Sequence, residues 1–290
     1  MKAWFSFIFS LSMILFLSAC RSPSALNSSG SVSNAPVGAE AGNGQPATSQ
    51  PVSLNVFAAA SLSEAFQELG EFYTAQNPNV TLAFNFAGSQ QLSQQIDAGA
   101  PVDVFASANQ KQMEAVITAG HVLTGSQQTF VKNRLVVIFP LDNPAEIIEL
   151  QDLARAGQKL VLAAKEVPAG QYSLEFLDKA GQEAELGPAF RDQVLKNVVS
   201  YEENVKVVLR KVALGEADAG IVYTSDIAGA SAGKVGQLAI ADHLNIIASY
   251  PIAVVQESKN IEQAGDFITL ILSAEGQSIL AKYGFIPVNE

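Results

Sequence analysis

Cysteine is almost absent from this chain: of 290 residues, only Cys20 carries a thiol. No disulfide can form within it, and a folded domain has no thiolate metal site available. Histidine is nearly as scarce. His121 stands beside Gly120 and His243 lies in a polar Ala-Asp-His segment, and neither falls in a catalytic motif. There is no Gly-x-Ser-x-Gly elbow, Walker loop or metal-spaced His/Glu cluster, so no enzyme is expected and no cofactor is implied. Basic residues are also in deficit, with 17 Lys and Arg against 28 Asp and Glu. That balance argues against nucleic acid as a partner.

The N-terminus reads "MKAWFSFIFSLSMILFLSAC", in which one lysine precedes an apolar run from Ala3 to Leu17 and small residues follow. This is the pattern of a secretory signal over residues 1–19, and the run is short for a spanning helix. Its end, Leu17-Ser18-Ala19-Cys20, resembles the lipobox of bacterial lipoproteins, which implies cleavage before Cys20 and lipidation of that cysteine. A plain membrane anchor with a chance cysteine is the alternative. Cleavage would remove Lys2, leaving 17 − 1 = 16 basic residues against 28 acidic, a net charge of −12. The stretch from Arg21 to Pro51 is rich in Ser, Gly, Asn, Ala and Pro. Residues 20–51 therefore read as a lipidated cysteine followed by a flexible tether.

From Val52 onward the hydrophobic period switches repeatedly between two and 3.6. Val52, Leu54 and Val56 alternate as in a strand; Leu62, Ala65, Phe66, Leu69, Phe72 and Tyr73 then recur at helical spacing until Asn77-Pro78. Val80 to Phe86 alternate again, and a second helix follows Ser89. A strand at "VDVFAS" and a helix carrying Met113, Val116 and Ile117 come next. Past "RLVVIFP" the grammar restarts with "KLVLAA", a helix after "VPAG", a helix with Val205, Val208, Leu209 and Val212, and "AGIVY". Then come "YPIAVV" and two terminal helices split near Ala274-Glu275-Gly276. Strands alternating with helices imply an α/β fold with a parallel-rich sheet.

Several serines and small residues sit where strands hand over to helices. Ser61 opens Ser61-Leu62-Ser63-Glu64, the spacing of a capping box, in which the serine satisfies a first-turn amide and Glu64 reaches back. A second reading stands beside it. Helix N-termini carry unpaired N–H groups and partial positive charge, so they bind anions without any basic side chain. Ser89 repeats the arrangement in Phe86-Ala87-Gly88-Ser89-Gln90. Ala169 lies between Pro168 and Gly170, where small side chains let a ligand approach the backbone. Val205 opens a helix at a point where a valine could offer a ligand only its amide, and its neighbour Lys206 reads as a solvated helix position. Tyr223 offers a neutral phenol as donor, or is simply an aromatic at the end of a buried strand.

Taken in order, "VFAAASL", "FAGSQQLSQQIDAGAPVDVFASA", "VPAGQY", "ENVKVVL" and "GIVYTSD" resemble the periplasmic molybdate-binding (ModA) proteins of ABC transporters, over essentially all of 52–290. The resemblance implies a two-lobed periplasmic binding protein of type II with a ligand cleft between lobes. Lobe I would be 52–134 plus 250–290, and lobe II 135–249. It also implies that Ser61, Ser89, Ala169, Val205 and Tyr223 hold a molybdate or tungstate oxyanion through hydroxyls and main-chain amides, as oxyanion contacts rather than direct metal ligands. The second motif is often richer in serine in that family, whereas here Gly88 precedes Ser89. The implied protein is a monomeric, lipid-anchored receptor on the extracytoplasmic face, closing on its ligand and delivering it to a membrane permease. Receptors for sulfate or for ferric ion are the alternatives, and iron-type sites need several anionic or phenolate ligands that these loops do not supply. An adhesive or structural lipoprotein would have no need of helix N-termini preceded by small residues.

Overall fold

The computed structural model describes residues 51–288; the signal segment, Cys20 and the linker up to residue 50 lie outside the described residues. The first strand, β1 (Val52–Ala59), leads through a 3₁₀ turn (Ala60–Leu62) into α1 (Ser63–Gln76). The helix ends at Asn77, ahead of Pro78, as the restriction on residues preceding proline requires. There follow β2 (Val80–Ala87), α2 (Ser89–Asp97), β3 (Val104–Ala106), α3 (Gln110–Thr118) and the long β4 (Gln128–Pro140). The chain continues through β5 (Leu160–Ala163), α4 (Pro168–Ala180), α5 (Phe190–Lys196), β6 (Val198–Glu202), α6 (Val205–Ala213) and β7 (Ala219–Tyr223). It closes with β8 (Val235–Ala239), β9 (Ile247–Val254), α7 (Ile261–Leu272), α8 (Ala274–Lys282) and the short β10 (Ile286–Pro287).

One sheet threads the described chain in the order β2-β1-β3-β9-β4-β7-β5-β6, with β8 and β10 also pairing to β4. It is more mixed than the alternation of strands and helices suggested. The pairs β1/β2, β1/β3, β5/β6 and β5/β7 are parallel, each joined through a helical crossover, but β4 and β9 run against every neighbour. The reason is topological. Residues of β4 up to Arg134 pair with β9, and from Leu135 onward they pair with β7 and β8. β4 thus leaves the first half of the sheet while β9 re-enters it, so the two are antiparallel.

Helices cover the sheet with one face each. In α6 the buried residues are Val205, Val208, Leu209 and Val212, as the periodicity required. The core is strongly aromatic around α1: Phe66, fully buried, has its ring 5.8 Å from Phe130 and 6.2 Å from Phe267. Burying such a side chain stabilises the fold by about 1.5–3 kcal/mol. A separate cluster under α2 and α3 contains Phe57, Leu92, Ile96, Phe105 and Met113. Ile117, expected on the apolar face of α3, instead faces outward at 42% exposure. The elements α5, β6, β8 and β10 carry no strong period and were not anticipated. In β6, for example, Val199 and Tyr201 point to solvent while Glu202 is buried.

Candidate functional site

Ser61, Ser89, Ala169, Val205 and Tyr223 all line one cavity. Its walls are the 3₁₀ turn before α1, the starts of α2, α4 and α6, and the end of β7. The remaining lining is small or apolar, apart from Asn204; no charged side chain contributes. Each helix start presents amides that have no acceptor within the helix, and each carries a partial positive charge.

Neither serine is a helix cap. At Ser61 the chain is already wound, because the N–H of Ser63 donates to the carbonyl of Ala60. The serine therefore lies inside the turn rather than at its end, and α1 has no side-chain cap. Its Oγ instead pairs with the Tyr250 phenol at 2.9 Å. Glu64 does not reach back either; one of its carboxylate oxygens is buried without a hydrogen-bond partner. Ser89 is the first residue of α2, whose preceding amide, Gly88 N–H, donates to Gln91 Oε1 at 3.2 Å. The Ser89 hydroxyl accepts from Ala108 N–H at 3.0 Å, which leaves its own proton free to turn into the cavity.

Ala169 occupies the second position of α4, after Pro168, whose missing N–H suits a helix start. Gly170 serves packing rather than access to a ligand. A Cβ there would sit 2.0 Å from the Ala164 carbonyl oxygen, so only glycine lets α4 begin this close to the end of β5. Val205 begins α6, and the side chain of Asn204 caps that helix by accepting from Val207 N–H at 3.2 Å. The first amide of α6 is thereby left without an acceptor in its own helix. The departure at Gly88 has a steric cause as well, since a Cβ would lie 2.6 Å from the Glu203 carbonyl oxygen. Gly88 lets the start of α2 and the loop before α6 meet across the cavity.

Further hydrogen bonds span the same gap. Gln90 Nε2 donates to the Glu203 carbonyl at 3.1 Å and Gln91 Nε2 to Glu203 Oε2 at 3.2 Å. On the other flank, Asn109 Nδ2 donates to Gln171 Oε1 at 3.3 Å.

Tyr223 supplies the most direct sign of a missing partner. Its hydroxyl is buried and has no hydrogen-bond partner among the described residues. Burial pushes the phenol well above its ordinary range, so it stays neutral and able to donate. Its backbone N–H donates to Asp226 Oδ2 at 3.0 Å. The Asp226 carboxylate is fully buried and lies 3.4 Å from Lys206 Nζ. Burial raises the acid's pKa, and Lys206 opposes that rise. Lys206 is thus an ion-pair partner rather than a purely solvated position, and it offsets a negative charge next to the cavity. Ala108, Asn133 and Tyr250 escaped the sequence reading, because nothing in their local patterns links them to Ser61 or Ser89.

The chain matches the family described as bacterial extracellular solute-binding protein over residues 54–286. It is 38% identical to the molybdate-binding protein ModA of Mycobacterium tuberculosis, covering 87% of this chain and 90% of that protein. It also superposes on the substrate-binding domain of a putative molybdenum ABC transporter from Clostridium difficile, with TM-score 0.61, 34% identity, and coverage of 82% of this chain and 99% of that one. A periplasmic molybdate-binding protein of Azotobacter vinelandii gives TM-score 0.69 at 20% identity, covering 80% of this chain and 98% of that one, a likeness of fold. The fold is that of the two-lobed type II periplasmic binding proteins, with the cleft between lobes. With its motifs, its fold and its relatives in agreement, the chain belongs to the ModA molybdate-binding family of bacterial extracellular solute-binding proteins.

Proposed function

We propose that this protein is the substrate-binding component of an ABC importer and that it holds molybdate, or the equally shaped tungstate, in the cavity bounded by Ser61, Ser89, Ala169, Val205 and Tyr223. The observation that carries this reading is the buried, unpartnered Tyr223 hydroxyl in a cavity walled by helix starts and free of charged side chains. Such a wall offers donors to a dianion and few acceptors to a protonated one. Phosphate near neutral pH is mostly protonated and is expected to bind poorly. Sulfate is smaller, and donors fixed at helix ends cannot all follow it inward, so it is expected to bind more weakly than molybdate. Calorimetric titration with molybdate, tungstate, sulfate and phosphate tests the reading, which fails if molybdate does not bind or if phosphate binds tightly.

The mechanism is hinged closure. With lobe I taken as 52–134 plus 250–290 and lobe II as 135–249, the hinge would fall near Arg134 and Leu135, and the change of β4 partners at that point supports this reading. The hydrogen bonds from Gln90 and Gln91 to Glu203, and from Asn109 to Gln171, then act as a latch across the cleft. Closure presents a composite surface to the membrane permease. The protein works as a monomer on the extracytoplasmic face, tethered through lipid on Cys20; equal lipid labelling of wild type and Cys20→Ala would contradict the tether.

A further inference from the structure

We propose that Asn133 and Tyr250, neither of which lines the cavity, are positioning residues that force the Ser61 hydroxyl to act as a hydrogen-bond donor toward the bound anion; this rests on the oxyanion reading above. Both side chains are completely buried. The direction of the chain starts at Asn133, on β4. Its Oδ1 accepts from Arg134 N–H at 3.0 Å and from the Thr224 hydroxyl at 3.0 Å. A backbone N–H can only donate, so the oxygen end of the amide is fixed and Nδ2 faces the other way. That nitrogen donates to Ser225 Oγ at 2.8 Å and to Tyr250 Oη at 3.4 Å.

Tyr250 Oη therefore accepts from Asn133 and keeps its own proton, for which Ser61 Oγ at 2.9 Å is the partner in hydrogen-bond geometry, although the Tyr223 hydroxyl also lies close by. Were Ser61 to donate to Tyr250 instead, the buried phenol proton would have only the Tyr223 hydroxyl nearby, which makes no well-formed hydrogen bond. Receiving that proton, Ser61 turns its own hydrogen to the cavity it lines. The Ser89 hydroxyl reaches the same state by a shorter route, through Ala108 N–H. Both serines of the site thus donate by construction, although a hydroxyl in isolation could as well accept.

A double-mutant cycle tests this, read by calorimetry with sodium molybdate. Tyr250→Phe keeps the ring and its edge contacts with Tyr223 at 5.8 Å and Phe285 at 5.6 Å, and circular dichroism and thermal melting check that it folds. It is expected to weaken molybdate binding by about threefold to tenfold in the wild-type background and by less than about twofold in Ser61→Ala. Phosphate affinity should hold or rise in Tyr250→Phe, because the released Ser61 hydroxyl can turn to accept, and should not rise in Ser61→Ala; a merely structural role would weaken both anions together. Should Tyr250→Phe not fold, Asn133→Ala paired with Ser61→Ala repeats the cycle. If the Tyr250 effect persists in full on the Ser61→Ala background, the relay is overturned while the oxyanion reading stands. If the wild type binds only sulfate, the same cycle is read with sulfate. A wild type that binds none of the four anions overturns both.

Discussion

Removing the Tyr223 hydroxyl should move stability and affinity in opposite directions. Tyr223→Phe leaves the backbone bond to Asp226 and the edge contact with Tyr250 in place. In the unliganded fold the hydroxyl is buried without a partner, a state that costs about 1–3 kcal/mol. The phenylalanine variant should therefore melt at or above the wild-type temperature. A gain of about 1 kcal/mol would appear as roughly 2–4 °C in a domain of this size. With the anion bound, the same hydroxyl donates to a charged acceptor, an interaction of about 1.5–3 kcal/mol. Its loss should weaken binding by about 10- to 150-fold. Thermal melts with and without molybdate give both quantities at once, since ligand stabilisation follows RT ln(1 + [L]/Kd). An unliganded variant that melts several degrees lower, with unchanged affinity, would show that Tyr223 is packing at a strand end and that the cavity binds its ligand without it.

Ser89→Ala should weaken molybdate by about 10- to 100-fold and also lower stability by about 1–3 kcal/mol, because Ala108 N–H loses its buried acceptor. Ser89→Asp should abolish binding outright, since an unpaired like charge in a poorly solvated cleft repels the dianion or must take up a proton; calorimetry on both variants decides, and equal affinities would contradict it. Gly88→Ser should weaken binding by more than about tenfold, because its Cβ would meet the Glu203 carbonyl oxygen at 2.6 Å and push α2 away from the loop before α6; an unchanged Kd would show that the two sides need not approach. His121 pairs with Glu257 at 2.9 Å and with Asp97 at 3.7 Å, and the Glu257 bond chiefly raises its pKa above the ordinary histidine value. Its stabilisation is therefore complete below about pH 6.5 and is lost as pH rises through the raised value. After solvent screening it amounts to no more than about 1 kcal/mol. Chemical denaturation of His121→Gln should show a deficit at pH 5.5 that vanishes by pH 9, and a deficit equal at both values would rule out titration as its source.

The sequence by itself determined the succession of elements from β1 to β4, because a period of two or 3.6 records within a few residues which face will be buried. It also placed Ser61 and Ser89 at junctions between strand and helix and Ala169 and Val205 at helix starts, where a cap or an anion held by amides were both open readings, and the lack of a catalytic motif pointed away from an enzyme. Only the tertiary structure decided what each group does there. The capping-box spacing at Ser61 was misleading, since the hydroxyl is taken by Tyr250, 189 residues further along the chain. Gly170 looked like a door for a ligand and proved to be a packing contact against the end of β5. β4 pairs with β9 along one half and with β7 and β8 along the other, and no pattern within its own 13 residues distinguishes the halves. Burial is a property of a residue and its near neighbours and leaves a periodic trace. The direction of a hydroxyl depends on one partner brought from elsewhere by the fold, and such a pairing leaves no trace in the local sequence.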